Sequence, residues 1–559
     1  MRRGPFVLAL GLLAAACSRG PHLVLTAPPR AYDDTTHIPR PPLKNFSEIA
    51  DMLETTVVEP AERFLNPARR VRRATHAREA RNYDAWDDVV NSSWFQHRNG
   101  RSPMTPAQIR RGPNEDVGPS PSGPLTIVAP KRSGVTPGLR VRDATGDTYL
   151  LKFDPADSPE LASAAEAIAT KLVHAAGYNA SLAYIYTFDP ARLVVDPRAR
   201  MRNPDGSERP MTMADVDAVL ARAARLPDGR IRALASWWIP NPVGPFSWEG
   251  RRDDDPNDRI PHQHRRELRG FYVFAAWINH VDSRRGNTFD QFVGDSTGGY
   301  IRHIMQDVSS TLGSGSDRIQ TPYDGAETLL DYPHIAARAL SLGLYRVPWE
   351  RLDTVRADSA TGYFSVRNFD PGGWMPLRPN AAFEERTDRD GYWGAKIVAS
   401  FSDEQLRAAV SAGEYSRPAA AQAIVGALIE RRDATVRYWF VRVTPIEHPV
   451  VRCDGADVLL TFEDYGIRHA VAGAAETAYR GHLEHGSAGI GVSTLARAGE
   501  ALRFEAALPR GGFAPDRDRD RIARITVRAE RGGRAAPAAT VYLLYEPEVR
   551  CYRVAGLAH

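Results

Sequence analysis

Residues 271–313 read FYVFAAWINHVDSRRGNTFDQFVGDSTGGYIRHIMQDVSSTLG, and the other segments of the chain take their places around them. Leu268, Phe271, Tyr272, Ala275 and Ile278 recur at helical spacing, so a helix is expected over residues 265–280. It runs into a polar loop that offers Asp282, Arg284 and Asn287. A hairpin over residues 288–293 and 300–306, turning at Asp295-Ser296-Thr297-Gly298-Gly299, then carries Asp307 to the same neighbourhood.

N-terminal to this segment, residues 125–153 predict two or three strands with turns at 134–138 and 144–147. Glycines between strands, such as Gly134 after Ser133, let backbone N–H groups approach phosphate oxygens, although most such turns only reverse the chain. The strand at 148–153 ends in Tyr149-Leu150-Leu151-Lys152-Phe153. Lysine occurs only at 44, 131, 152, 171 and 396, so Lys152 in an apolar strand stands out, with an edge-strand lysine as the alternative. A helix follows, with Ser158 as N-cap, Pro159 in the first turn, Gly177 as the stop and Leu161, Ala165, Ile168, Leu172 and Val173 as its stripe. Glu160 or Glu166 could pair with Lys152.

Further strands are expected at 181–188 and 230–238, separated by a polar insertion. After them, residues 240–268 read as a crossing and a surface loop, with His262 and His264 a solvated pair. Downstream, residues 333–344 and 402–432 predict helices. Beyond about residue 444, strand-like runs at 450–466, 503–509, 521–532 and 539–555 predict a small β-sandwich.

At 559 residues the chain exceeds one ordinary core. Its 43% apolar and 25% charged content is that of a soluble globular protein. A formal charge of +4 lends no support to nucleic-acid binding, and none is expected. The start, MRRGPFVLALGLLAAACSRG, has a basic end and an apolar run shorter than the roughly 20 residues of a spanning helix, so it reads as an export signal. Small residues before Cys17 resemble a bacterial lipobox, which implies Cys17 as the lipid-bearing residue; an ordinary signal peptide with an incidental Cys is the alternative. Cys453 and Cys551 remain, and an even remainder in an exported chain predicts a disulfide, with two buried thiols as the bland reading. Pro-rich and polar residues 18–42 suit a tether. Residues 45–65 predict a helix divided at Pro60, the Arg-rich run 69–81 a solvated or lipid-facing segment, and residues 99–124 a linker.

Ser133-Gly134 before a strand, Lys152 in Tyr-Leu-Leu-Lys-Phe, Glu166 in a helix ending Ala-Ala-Gly-Tyr, and Asp282-x4-Asn287 before Asp307 occur in the order of the atypical kinases of the HipA type. The chain resembles these over residues 133–313, and more distantly the secretory-pathway (Golgi casein kinase) and spore-coat CotH types. The resemblance implies an α+β fold: a two-lobed kinase-like domain at 125–444, after a signal at 1–17 and a tether and helical region at 18–124, with the β-rich domain at 445–559. It implies Asp282 as the group that takes the proton of the attacking hydroxyl and Arg284 as stabiliser of the transferred phosphoryl. Asn287 and Asp307 would hold Mg²⁺ or Mn²⁺, and Lys152, oriented by Glu166, would contact ATP phosphates with Ser133 and Gly134. Asp307-Val308-Ser309 departs from Asp-Phe-Gly, and His280-Val281-Asp282 from His-Arg-Asp, which removes the Arg used in activation-loop control.

The expected function is an exported, ATP- and divalent-metal-dependent phosphotransferase acting on a protein or glycan hydroxyl. It would be held to a membrane by its lipid and face the periplasm or the outer surface. The alternative is a catalytically silent kinase-like lipoprotein that binds a surface partner. A hydrolase is disfavoured, because the chain has no Gly-x-Ser-x-Gly elbow, His-Glu-x-x-His pair or Cys-x-x-Cys knuckle.

Overall fold

The structure is a computed structural model that describes residues 33–68, 71–72, 77–131, 134–203, 205–352, 357–485, 491–508 and 521–559. The export signal, Cys17, Ser133 and part of the Arg-rich run lie outside the described residues. The fold is mixed α+β with all-antiparallel sheets at its C-terminal end.

A six-stranded sheet takes the order Ala183–Phe188, Ile231–Trp237, Thr148–Phe153, Gly138–Arg142, Leu125–Pro130, Leu193–Val195, antiparallel except for the last pair. The Lys152 strand lies inside this sheet, bonded on one side through Gly138↔Lys152 and on the other through Lys152↔Leu234. Lys152 is therefore not an edge residue.

Helix Leu161–Ala176 lies between this sheet and the helices that follow, and all but His174 of its side chains are buried. A helix sandwiched on every side has no polar face, so the apolar stripe understates its burial. Its N-terminus also differs from expectation. The helix starts at Leu161 after Glu160, whose φ of 69° is left-handed, and Ser158 does not cap it. Asp154, just past the Lys152 strand, does that work: its carboxylate accepts the Ser163 N–H at 2.8 Å and the Ser163 hydroxyl at 2.6 Å. Gly177 ends the helix at φ 120°, as predicted.

Helix Arg266–Ile278 is buried throughout and packs with Asp388–Ala399 and Pro418–Phe440 into the main core. The helix expected over 402–432 is two, Asp403–Ser411 and Pro418–Phe440. Between them Gly413 passes so close to Ile168 that a Cβ would lie 2.7 Å from its Cδ1. The expected surface loop before Arg266 exposes residues such as Glu249, Arg251 and Arg259 but buries Arg252, Asp258, His262 and His264. His262 pairs with Asp258 at 2.8 Å, and His264 Nδ1 accepts from Arg269 at 2.9 Å, so neither is a solvated histidine. The 99–124 segment also contributes to the core, through buried Asn99 and Ile109.

At the C-terminal end, a three-stranded sheet (Ile446–Asp454, Asp457–Asp464, Leu502–Phe504) shares one core with a six-stranded antiparallel sheet that includes Thr477–His485, Gly491–Arg497 and Cys551–Ala558. Cys453 and Cys551 form a disulfide between strands of these two sheets, 98 residues apart in sequence. Among the described residues no helix is long and apolar enough to cross a membrane.

Candidate active site

The loop after helix Arg266–Ile278 is held on both sides before it presents a side chain. Asn279 leaves the helix in the left-handed region, and the His280 N–H returns to Ala275 O at 2.7 Å. Val281 then donates to Ser310 O at 3.2 Å and accepts from Leu377 N at 2.8 Å, while Asn380 Nδ2 donates to Ser283 O at 3.2 Å. His280 is buried beside Phe271, and burial holds its ring below the usual histidine range, which suits packing rather than proton exchange.

Asp282 is thereby fixed, and two neighbours converge on it. Its Oδ2 accepts from Arg284 Nε at 3.2 Å and from Asn287 Nδ2 at 3.0 Å, and its backbone O takes a second Asn287 bond at 2.7 Å. These bonds set the Asn287 amide with nitrogen toward Asp282, because the reverse would oppose oxygen to oxygen. The consequence is that Asn287 Oδ1 is buried with no hydrogen-bond partner among the described residues.

The hairpin Thr288–Asp295/Gly298–Met305 begins at Asn287 and returns in register, so the Gln306 N–H meets Asn287 O at 3.1 Å. The next residue, Asp307, has φ 51°, a left-handed conformation that costs of order 1 kcal/mol or more in a non-glycine. Its carboxylate Oδ1 accepts from Lys152 Nζ at 2.7 Å and Ser309 Oγ at 3.0 Å. Lys152 also donates to both oxygens of Glu166, at 2.8 and 2.9 Å. Lys152 is 8% exposed and Glu166 2%, whereas Asp307 is 34% exposed, toward the cleft.

Burial alone would lower the pKa of Lys152. The Asp307 and Glu166 carboxylates outweigh it and hold the ammonium well above the usual lysine range. For Glu166 burial prevails and raises the carboxyl despite Lys152, while at Asp307 the Lys152 and Lys131 charges overcome burial and keep it ionised. The cleft above these groups has about 790 Å³ of empty space, and Lys131, Gly134, Lys152, Asn287 and Asp307 line it. Gly134 sits at φ 75°, and a Cβ there would lie 2.8 Å from Lys131 Nζ.

Arg284, Asn287, Asp307, Lys152 and Gly134 line one cleft, Asp282 stands behind Arg284 and Asn287 and Glu166 behind Lys152; Ser133 is not described. Three residues at the site were missed by sequence reasoning. Ser309 carried no signal of its own. Lys131 did, being one of the few lysines, and Glu48 comes from the N-terminal helix, where nothing in the spacing links it to the loop: Arg284 Nη2 donates to it at 3.3 Å.

The unpartnered Asn287 oxygen and the ionised Asp307 carboxylate are hard donors on adjacent positions of one hairpin, and they fit a divalent cation that keeps most of its ligands as water or phosphate. Fold and site together define a mixed α+β protein with an acid, amide and ammonium cleft. No family model, curated protein or solved structure matches the chain.

Proposed function

We propose that the chain is an exported phosphotransferase that moves the terminal phosphoryl of ATP to a protein or glycan hydroxyl, on a two-lobed kinase-like domain followed by a β-sandwich. The observation that carries this reading is Lys152 bridging Glu166 and Asp307 at the wall of a cleft that is also lined by Asn287, the hydrogen-bond partner of Asp282. Lys152 binds nucleotide phosphates and Glu166 fixes its position. Asp282 accepts the proton of the acceptor hydroxyl as the new O–P bond forms and the bond to the leaving diphosphate breaks. Arg284, 3.2 Å from Asp282, lies where it can neutralise charge on the phosphoryl in flight. Asn287 and Asp307 hold Mg²⁺ or Mn²⁺, which supplies charge neutralisation and orientation of the phosphates.

The Cys453–Cys551 disulfide supports an oxidising, extracytoplasmic location, where a lipid on Cys17 would tether the chain to a membrane. A silent scaffold has no use for the Asn287 oxygen, which is buried and unpartnered among the described residues and costs stability without a ligand.

Titration of the protein with ATP by calorimetry, with and without Mg²⁺ or Mn²⁺, tests the reading. Binding should require metal and disappear in Asp307→Ala, while Asp282→Ala should keep binding and lose phosphoryl transfer to water or acceptor. Absence of binding with either metal would reject the enzyme and leave the silent partner-binding protein.

A further inference from the structure

The first helix of the described chain has its two faces the wrong way round for a helix in water. Residues Glu48–Leu65 are helical throughout, with a wider turn over Glu54–Val58. The inner side is mostly polar: Glu48 accepts from Arg284 at 3.3 Å, Asp51 is buried, and Arg63 bridges Glu59 at 2.6 Å and Glu384 at 2.8 Å. The outer side carries Ile49, Met52, Leu53, Val58 and Leu65, all exposed, Ile49 to 71% and Leu65 to 75%. A helix packed on a protein in water does the reverse, because apolar surface gains most by leaving solvent.

A second apolar surface adjoins the first. Helix Tyr332–Leu340 packs on it through Tyr332, whose ring stacks on Phe64 with centroids 6.2 Å apart and whose hydroxyl donates to Val57 O at 3.4 Å. None of its residues is buried. Its last residue and the turn after it present Leu340, Leu342 and Leu344 at 87, 93 and 86% exposure, the three most exposed large apolar side chains among the described residues. The turn itself is closed. The N–H groups of Ser341, Leu342, Gly343 and Leu344 donate to the carbonyls of Ala337, Ala339, Arg338 and Ser341, and the Tyr345 N–H donates to Ser341 Oγ at 2.8 Å. With those N–H groups spent internally, the turn can enter an apolar medium without stranding them. Single exposed leucines need no explanation, but a collection on two touching helices marks an interaction surface.

Charge indicates what covers it. The chain that continues from Leu65 holds six arginines and one glutamate over residues 66–81, and exposed Arg346 follows the leucine turn. These outnumber Glu54 and Glu62, the acids on the outer side of the first helix. Outward apolar side chains next to a basic segment are the composition of a helix lying on an anionic membrane. We propose that helices Glu48–Leu65 and Tyr332–Leu340, with the leucine turn, dock on an anionic phospholipid bilayer, their outer apolar side chains seated at the headgroup and acyl boundary. A lipid on Cys17 is within reach, since the residues from Cys17 to Asp33 span at most about 55 Å. Unlike that lipid, this contact belongs to the folded chain and sets which way it faces. Because Glu48 on the inner side meets Arg284, the neighbouring end of the cleft stands about one helix diameter, roughly 10–12 Å, from the lipid.

The surface does not depend on phosphotransfer, and its test needs no nucleotide. Residues 18–559 keep every described residue and lack Cys17, so any membrane binding is the fold's own. They are sedimented with vesicles of phosphatidylcholine alone and of phosphatidylcholine with one third phosphatidylglycerol. Partition into the mixed vesicles should exceed that into the neutral ones by at least about tenfold, the effect of one or two charges at the surface. Leu340→Ser/Leu342→Ser/Leu344→Ser and Ile49→Gln/Leu53→Gln/Val58→Gln should each cut partition into the mixed vesicles by about tenfold or more, and circular dichroism should match wild type because the altered side chains are exposed. No binding by wild type, equal partition into the two vesicle types, or binding that survives either variant overturns the proposal. A dimer seen by sedimentation velocity without lipid, dissolved by the variants and blind to vesicles, overturns it in favour of a second copy of the chain.

Discussion

At the level of single residues, two of the buried bases give testable responses to pH. His264 accepts a hydrogen bond from Arg269, which only a neutral ring can do, and burial with the nearby Arg269 and Arg81 charges pushes its pKa from 6.5 to about 4. A base depressed by folding contributes stability that is present above 6.5 and is lost as pH falls toward 4, because the unfolded chain takes the proton first. Urea unfolding between about pH 7 and pH 4 should show that loss in wild type and a flatter acid limb in His264→Gln, whose amide still accepts. Lys171 is the counterpart at higher pH. Burial pulls it from 10.5 to about 7, and it donates to a carbonyl, Ala183 O at 3.0 Å, which also accepts from Asn114. Lys171→Met should stabilise the fold at neutral pH by about 1–3 kcal/mol and remove the rise in stability that wild type shows between pH 7 and 10.5. His264 was expected to be solvated because Pro and charged residues precede it, and Lys171, on a helix buried on nearly all sides, had no periodic signal to mark it as interior. Lys152 was legible for the opposite reason: a rare residue type ended an apolar strand.

At the level of elements, what could be read depended on how far periodicity survived packing. The strand at Thr148–Phe153 and the hairpin after Asn287 stood out because their alternation and turn residues agree. Strand Thr477–His485 did not, because one of its inward positions is Gly481, where a Cβ would come within 2.8 Å of Phe504 Cζ. Helix Asp388–Ala399 was hidden in a similar way. Gly391 makes room for Trp439 and Gly394 for the backbone of Gly270, so close crossing replaced the bulky residues that mark an amphipathic helix. That crossing also carries Asp390, fully buried between Arg266 Nε at 3.2 Å and Arg269 Nη1 at 3.1 Å. Asp390→Ala should cost about 3–5 kcal/mol in denaturant unfolding, since it strands two buried guanidinium groups, whereas an exposed pair such as Arg230–Asp228 should cost under about 1 kcal/mol.

At the level of the whole molecule, the C-terminal sheets are joined to the rest by their last strand as well as by the chain. The Leu557 N–H donates to Ala85 O at 2.8 Å, and His559 Nδ1 lies 3.0 Å from Asp87 Oδ2. The disulfide closes the loop between the two sheets within that unit. Replacing Cys453 and Cys551 with Ser should lower its stability by about 2–5 kcal/mol, read as an earlier unfolding transition in denaturant. Metal-dependent ATP affinity at low denaturant should stay as it was, because none of the cleft residues comes from the C-terminal strands.

Helix Leu161–Ala176, wedged between sheet and helices, sets a limit on how this protein can drift. In most helices roughly half the positions face water and accept almost any side chain. Here 15 of the 16 are enclosed, leaving His174 alone half-open. A saturation scan for folded yield would therefore show an intolerant block broken only at His174, without the three-or-four-residue rhythm of a surface helix. Random change could enter that block only in company with matching changes on the layers above and below, which ties the history of three separate parts of the chain together.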